Sequence, residues 1–121
     1  MSAKKILIVD DVAADLANLK SILSTTGKNI ISATSGKEAV EKSLAEKPDM
    51  VFMDIVMDDV DGYSACRQIL KNPETKDIPI VFVSSKKQKA DKLWAEKQGG
   101  RTLISKPYTE DDILNQLKIY V

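Results

Sequence analysis

Ile6-Leu7-Ile8-Val9-Asp10-Asp11 decides how this chain folds. Four apolar residues in a row, three of them β-branched, suit a strand buried on both faces, which has no solvent side on which to place polar residues. The run ends on two aspartates, so acidic groups stand where the strand leaves the core. Ile78-Pro79-Ile80-Val81-Phe82-Val83 has the same nearly continuous character. Further runs begin near Ile30, Met50 and Thr102, and the five starts lie 24, 20, 28 and 24 residues apart. Each interval has room for one helix and two turns.

The helical stretches carry their own signals. Leu16, Leu19 and Leu23, then Ala39, Val40 and Leu44, then Ile113, Leu114 and Leu117 fall at three-to-four spacing, the mark of one-sided amphipathic helices. Ser35-Gly36-Lys37-Glu38 and Thr109-Glu110-Asp111-Asp112 fit capping boxes for the second and fifth helices. Asn72-Pro73 closes the third helix and Gly99-Gly100 the fourth. A β-α unit repeated five times predicts an α/β fold, a doubly wound five-stranded parallel sheet with five helices on its two faces. Ligands of such sheets bind at the carboxyl ends of the strands.

Composition narrows the chemistry. The chain has 121 residues, enough to bury about 65% of its unfolded surface around one core. It reads as one domain over 1–121, with no attached output domain after the fifth helix. Lys and Arg number 18 and Asp and Glu 18, so no surplus of positive charge points to nucleic acid or to an anionic membrane. With no histidine, Ser-His-Asp and Cys-His nucleophile systems and His-ligated zinc are excluded. Cys66 is the only cysteine and cannot close an internal disulfide, which favours a reducing, cytoplasmic setting. The basic start, Met1 to Lys5, precedes an apolar run far too short for a signal peptide or a membrane span.

Asp10 and Asp11 follow the first strand, Asp54 the third and Ser84 the fourth, and Lys106 stands at the end of the fifth. All lie at one edge of the sheet. With strands one and three as neighbours, in the order 2-1-3-4-5, the topological switch point falls at the acidic groups. Two unit charges about 5 Å apart repel by roughly 3 kcal/mol at an effective dielectric near 20. Three converging carboxylates therefore need protons or a cation. Mg²⁺ suits such a site, since it takes a few carboxylates and a carbonyl and leaves positions for water and a substrate phosphate. Asp11 and Asp54 would supply carboxylates. With charge neutralised by the metal and Lys106, Asp54 can serve as a nucleophile toward a phosphoryl group.

These residues carry a resemblance. Ile6 to Val9 before Asp10-Asp11, Met53-Asp54-Ile55-Val56-Met57 with Gly62 eight residues past Asp54, Ser84 at 30 residues past it and Lys106-Pro107 at 52 are together similar to the response-regulator receiver domains. The likeness spans essentially the whole chain. It implies a flavodoxin-like fold and a phosphorelay protein, not an enzyme. It further implies Asp54 as phosphoacceptor, Asp10, Asp11, Asp54 and the Val56 carbonyl around Mg²⁺ with Asp10 acting through water, Ser84 as switch hydroxyl and Lys106 as phosphate partner. A cis bond between Lys106 and Pro107 belongs to the same pattern. The phosphoryl donor would be a histidine kinase or relay protein, and the output a protein target docked on the fourth helix, fifth strand and fifth helix of a monomer. Within the family, the wording from Met53 to Met57 and the fourth-helix residues Lys92, Trp94, Lys97, Gln98 and Gly99 resemble stand-alone regulators of type IV pilus twitching motility.

The chain departs from the family pattern at two positions. Asp58 stands where a proline is usual, either strengthening the site's hold on cations or facing solvent. Leu103 occupies the position of an aromatic switch residue. Other features have plain readings: Cys66, spaced with Tyr63, Ile69 and Leu70, is a small core residue, and one of Leu93 and Trp94 is expected in the core with the other near the surface. Lys86, Lys87, Lys89 and Lys92 form either a solvated helix face or a choice of acidic partner. Asp59-Val60-Asp61-Gly62 imitates part of a calcium loop, but Met57 and Gln68 fill its first and twelfth ligand positions. Two rival functions fit less well: an aspartyl-nucleophile Mg²⁺ phosphatase lacks its general acid, Val56 and Val12 standing two residues after Asp54 and Asp10, and a phosphorylation-independent scaffold would tolerate Asp58 and Leu103 but has no use for the acidic site.

Overall fold

The structure, a computed structural model, describes residues 4–85 and 88–121. Strands β1 (Lys5–Val9), β2 (Asn29–Ala33), β3 (Met50–Asp54), β4 (Ile80–Ser84) and β5 (Thr102–Ser105) alternate with helices α1 (Ala13–Ser24), α2 (Gly36–Glu46), α3 (Gly62–Lys71), α4 (Lys89–Lys97) and α5 (Glu110–Tyr120). The strands form one parallel sheet in the order β2-β1-β3-β4-β5. This is the doubly wound arrangement that the spacing predicts.

Alternate residues of the central strands supply two cores. Ile6, Ile8, Met50, Phe52, Val81, Val83 and Ile104 pack with Leu19 and Leu23 of α1 and Ile113 and Leu117 of α5. Leu7, Val9, Val51, Met53, Ile80, Phe82 and Leu103 pack with Ala39 of α2, Ala65, Cys66 and Ile69 of α3 and Ala95 of α4. Both faces of β3 and β4 are covered, which is why these strands lack polar alternation. The pleat thus sends consecutive apolar residues to opposite layers.

Several local expectations are corrected. The fourth apolar run begins at Ile78, yet β4 starts at Ile80. Pro79 has no N–H to donate, and only its carbonyl joins the sheet, accepting from the Val51 N–H at 3.0 Å. Thr109 and Asp112 form the reciprocal capping box. At α2 only half of the box forms: Ser35 Oγ accepts from the Glu38 N–H at 3.1 Å, while the Glu38 carboxylate accepts from the Thr34 N–H at 2.7 Å. That bond holds the Glu38 carboxyl below its ordinary range. Leu44 lies exposed, and Ser43 is the residue that α2 buries beside Ala39.

The fourth helix departs most from expectation. Neither Leu93 nor Trp94 enters the core, each being 53% exposed, and Ala95 is the one residue of α4 that is buried. A small residue fits there because the neighbouring Phe82 and Gly100 already fill the layer: a Cβ on Gly100 would stand 2.4 Å from the Phe82 ring. Lys89 and Lys92 are exposed, whereas Lys86 and Lys87 lie outside the described residues. Cys66 is fully buried, and burial pushes its thiol up to about 12.

Candidate functional site

The carboxyl ends of the strands converge on one cleft of about 370 Å³, lined by Asp11, Val12, Asp15, Asp54, Val56, Ser84, Ser85 and Lys106. Each side chain arrives there by a local necessity. Asp10 follows β1 directly, its N–H donating to the Ala33 carbonyl at 3.2 Å, which keeps the backbone on the sheet for one more residue. Its buried carboxylate faces two ways: Oδ1 accepts from the Val12 N–H at 3.0 Å, and Oδ2 accepts from Lys106 Nζ at 2.9 Å. The first contact satisfies a free donor at the start of α1, whose cap residue Val12 has no side-chain acceptor of its own.

Asp54 is the last residue of β3 and is 7% exposed, with Oδ1 accepting from the Ile55 N–H at 2.9 Å. The chain beyond it is held close by Gly62, whose N–H donates to the Ile55 carbonyl at 2.8 Å. A side chain could not replace that hydrogen, since a Cβ would stand 2.1 Å from the Asp54 carbonyl oxygen. Ser84 ends β4 and is buried, and its carbonyl accepts from the Lys106 N–H at 2.7 Å. The Lys106–Pro107 peptide is cis. Val56 lines the cleft and is 65% exposed.

One carboxylate oxygen from each of Asp10, Asp11 and Asp54 lies within 4.8 Å of the others. Two of the three residues are buried, so their charges are poorly solvated. Burial first, and the Asp10 charge second, raise the Asp54 carboxyl from 3.8 to about 6. The Lys106 ammonium, 3.9 Å from Asp54 Oδ1, offsets this only in part because Asp10 and Asp15 already engage it. Burial alone would lower Lys106. Its bonds to Asp15 and Asp10 outweigh that and hold the ammonium above its ordinary value. Excess negative charge with hard oxygen donors fits a small divalent cation such as Mg²⁺, with Asp10, Asp11 and Asp54 as the residues to hold it.

Sequence reading missed two acidic residues. Asp15, in the first turn of α1, joins Lys106 through Oδ2 at 2.9 Å. Its signal was its place one helical turn after Asp11, which turns a side chain back toward the strand ends. Asp59 belongs to α2 rather than to a calcium loop: Oδ1 and Oδ2 accept from the Gly36 and Lys37 N–H groups at 3.1 and 3.0 Å. Those backbone bonds hold its carboxyl below the usual range. Asp61 caps α3 through the Ser64 N–H at 2.8 Å. Asp58 is exposed and outside the acidic cluster, and Leu103 is buried against Phe82's layer.

A doubly wound sheet with carboxylates and a lysine gathered at its switch point defines a class of protein in which an acidic cleft sits at the strands' carboxyl edge. Residues 6–118 match the model of the response regulator receiver domain, and the chain belongs to that family. It is 39% identical over 113 residues to Protein PilH of Pseudomonas aeruginosa, covering 93% of each chain. It is 38% identical over 116 residues to Chemotaxis protein CheY of Thermotoga maritima, covering 94% of each. Among solved structures, a chain of the CheX-CheY-BeF3-Mg²⁺ complex from Borrelia burgdorferi superposes with a TM-score of 0.89 at 28% identity, over 98% of this chain and 90% of that one. Among the described residues, no helix is long and apolar enough to cross a membrane.

Proposed function

We propose that this chain is a phosphorelay signalling protein that takes a phosphoryl group from a partner histidine kinase onto Asp54, with Mg²⁺ in the acidic cleft. The observation that carries this reading is the meeting of Asp10, Asp11 and Asp54 within 4.8 Å beside the Lys106 ammonium. An Asp54 oxygen attacks phosphorus as the bond to the donor imidazole nitrogen breaks, and the electron pair leaves with that nitrogen. Water later attacks the acyl phosphate, freeing inorganic phosphate and restoring the carboxylate. When bound, Mg²⁺ supplies charge neutralisation for the transferring group. Asp10, Asp11, Asp54 and the Val56 carbonyl are its proposed ligands, with Asp10 acting through water. Because the donor histidine is on another chain, the protein itself needs none.

Lys106 and Ser84 are the proposed partners of the phosphoryl oxygens. Charge-assisted bonds of this kind contribute roughly 1.5 to 3 kcal/mol each. Reversing a 99:1 population takes about 5.5 kcal/mol, so two such bonds supply most of a switch. Lys106 leads from β5 and Ser84 toward α4, so the switched surface is α4, β5 and α5, with Leu103 filling space in place of an aromatic residue. A protein target docks there, and the names of the relatives PilH and CheY support twitching motility or chemotaxis-like control. The same reading makes the protein a cytoplasmic monomer of one receiver domain over 1–121, signalling rather than turning over substrate.

Incubation with a small acyl-phosphate donor and Mg²⁺, followed by intact mass, tests it. The wild type gains one phosphate and Asp54→Asn gains none. A wild type whose mass never changes refutes the reading. Partner capture and cell behaviour unaltered by Asp54→Asn would favour a scaffold instead.

A further inference from the structure

The ammonium of Lys106 is claimed by the wrong acids for a phosphate partner. It donates to Asp10 Oδ2 and to Asp15 Oδ2, each at 2.9 Å, and stays 3.9 Å from Asp54 Oδ1, outside hydrogen-bond distance. Asp15 had another comfortable place. A carboxylate in the first turn of a helix is stabilised there by the exposed N–H groups alone, without turning toward any partner. Here it turns into the cleft, 41% exposed, to reach a lysine 91 residues away in sequence.

We propose that Asp15 is a positioning residue for phosphoryl acceptance, holding the Lys106 ammonium on the α1 side of the cleft in competition with the phosphoryl oxygens on Asp54. The inference rests on the phosphorelay function above and adds a residue to it. A phosphoryl group on Asp54 needs the ammonium within hydrogen-bond reach, and that contact forms at the expense of the Asp15 bond. An ammonium is held more strongly by an ionised carboxylate than by a neutral amide, because charge–charge attraction is added to the hydrogen bond. The charge at position 15 therefore sets how readily Lys106 is released, and with it the stability of the phosphorylated form. Asp10 cannot play this part: it is buried and fixed by the Val12 N–H, whereas Asp15 lines the cleft with its side chain partly exposed.

The test titrates the full chain with beryllofluoride, a noncovalent stand-in for the phosphoryl group, at saturating Mg²⁺, with thermal melting to show that each variant is folded. Asp15→Asn should bind about tenfold more tightly than wild type, and Asp15→Glu, which keeps the charge, should return to within about twofold of it. In a Lys106→Ala background the Asp15→Asn gain should vanish, because no ammonium is left to release. An equal gain in that background would mean simple repulsion of the anion and would overturn the proposal, as would an unchanged affinity in the single variant. Should the Lys106→Ala protein not bind at all, the nitrogen resonance of the Lys106 ammonium decides. It must move in Asp15→Asn before any beryllofluoride is added and hold still in Asp15→Glu, and a resonance unmoved in Asp15→Asn overturns the proposal. A wild type that neither binds beryllofluoride nor gains a phosphate's mass fails the phosphorelay reading itself, and this inference with it.

Discussion

Replacing Asp54 by Asn should stabilise the metal-free protein at alkaline pH and do nothing for it in acid. The folded carboxyl titrates at about 6 against an ordinary 3.8, chiefly because it is buried beside Asp10. Between these two values the folded chain binds a proton that the unfolded chain lacks, so folding stability falls as pH rises through the window. Above pH 6 the full penalty of a buried carboxylate is present. About two pH units, at about 1.4 kcal/mol each, give a penalty of about 3 kcal/mol. An amide oxygen still accepts from the Ile55 N–H but carries no charge. Urea unfolding with a chelator present should therefore show Asp54→Asn more stable by up to about 3 kcal/mol at pH 8, with the gain shrinking to near zero at pH 4. Adding Mg²⁺ should then stabilise the wild type in proportion to the logarithm of its concentration and leave the variant almost unmoved. A variant no more stable than wild type at pH 8, or one equally favoured at both pH values, would refute the assignment of excess negative charge to this cleft.

Gly62→Ala should destabilise by about 3 kcal/mol, read as a shift in the urea midpoint, because its Cβ would meet the Asp54 carbonyl at 2.1 Å. Thr109→Ala should cost about 1 kcal/mol in the same assay, since it strips the capping box of α5. Cys66, fully buried and with its thiol pushed up to about 12, should react with a disulfide reagent at least about a hundredfold more slowly in the native protein than in urea.

The fold was readable because a parallel sheet covered on both sides writes itself as unbroken apolar runs, and Ile6–Val9 and Ile80–Val83 leave no other assignment. The acidic edge was readable too, since Asp10, Asp11, Asp54, Ser84 and Lys106 each stand at the end of a run. What escaped was decided between elements rather than within them. Asp59 looked like part of a loop, and only the approach of α2 shows that it supplies the acceptor for that helix's first N–H groups. Glu38 obeys the spacing of a capping box but finds Thr34 nearer in space. Asp15's place one turn after Asp11 turns it toward the strand ends, but nothing local names its partner, which lies just past the far strand β5. The pair Leu93 and Trp94 misled by size: two large apolar side chains suggest that one takes a core position, whereas the layer beneath α4 is already filled by Phe82 and Gly100.

The shallow rooting of α4, one alanine deep, leaves its outward residues almost free of structural duty. Lys89, Lys92, Leu93 and Trp94 can be exchanged without repacking anything beneath them. Lineages could thus retarget this protein to a new associate by rewriting a single exposed turn or two, while the acidic chemistry and the apolar sheet that carries it stay untouched.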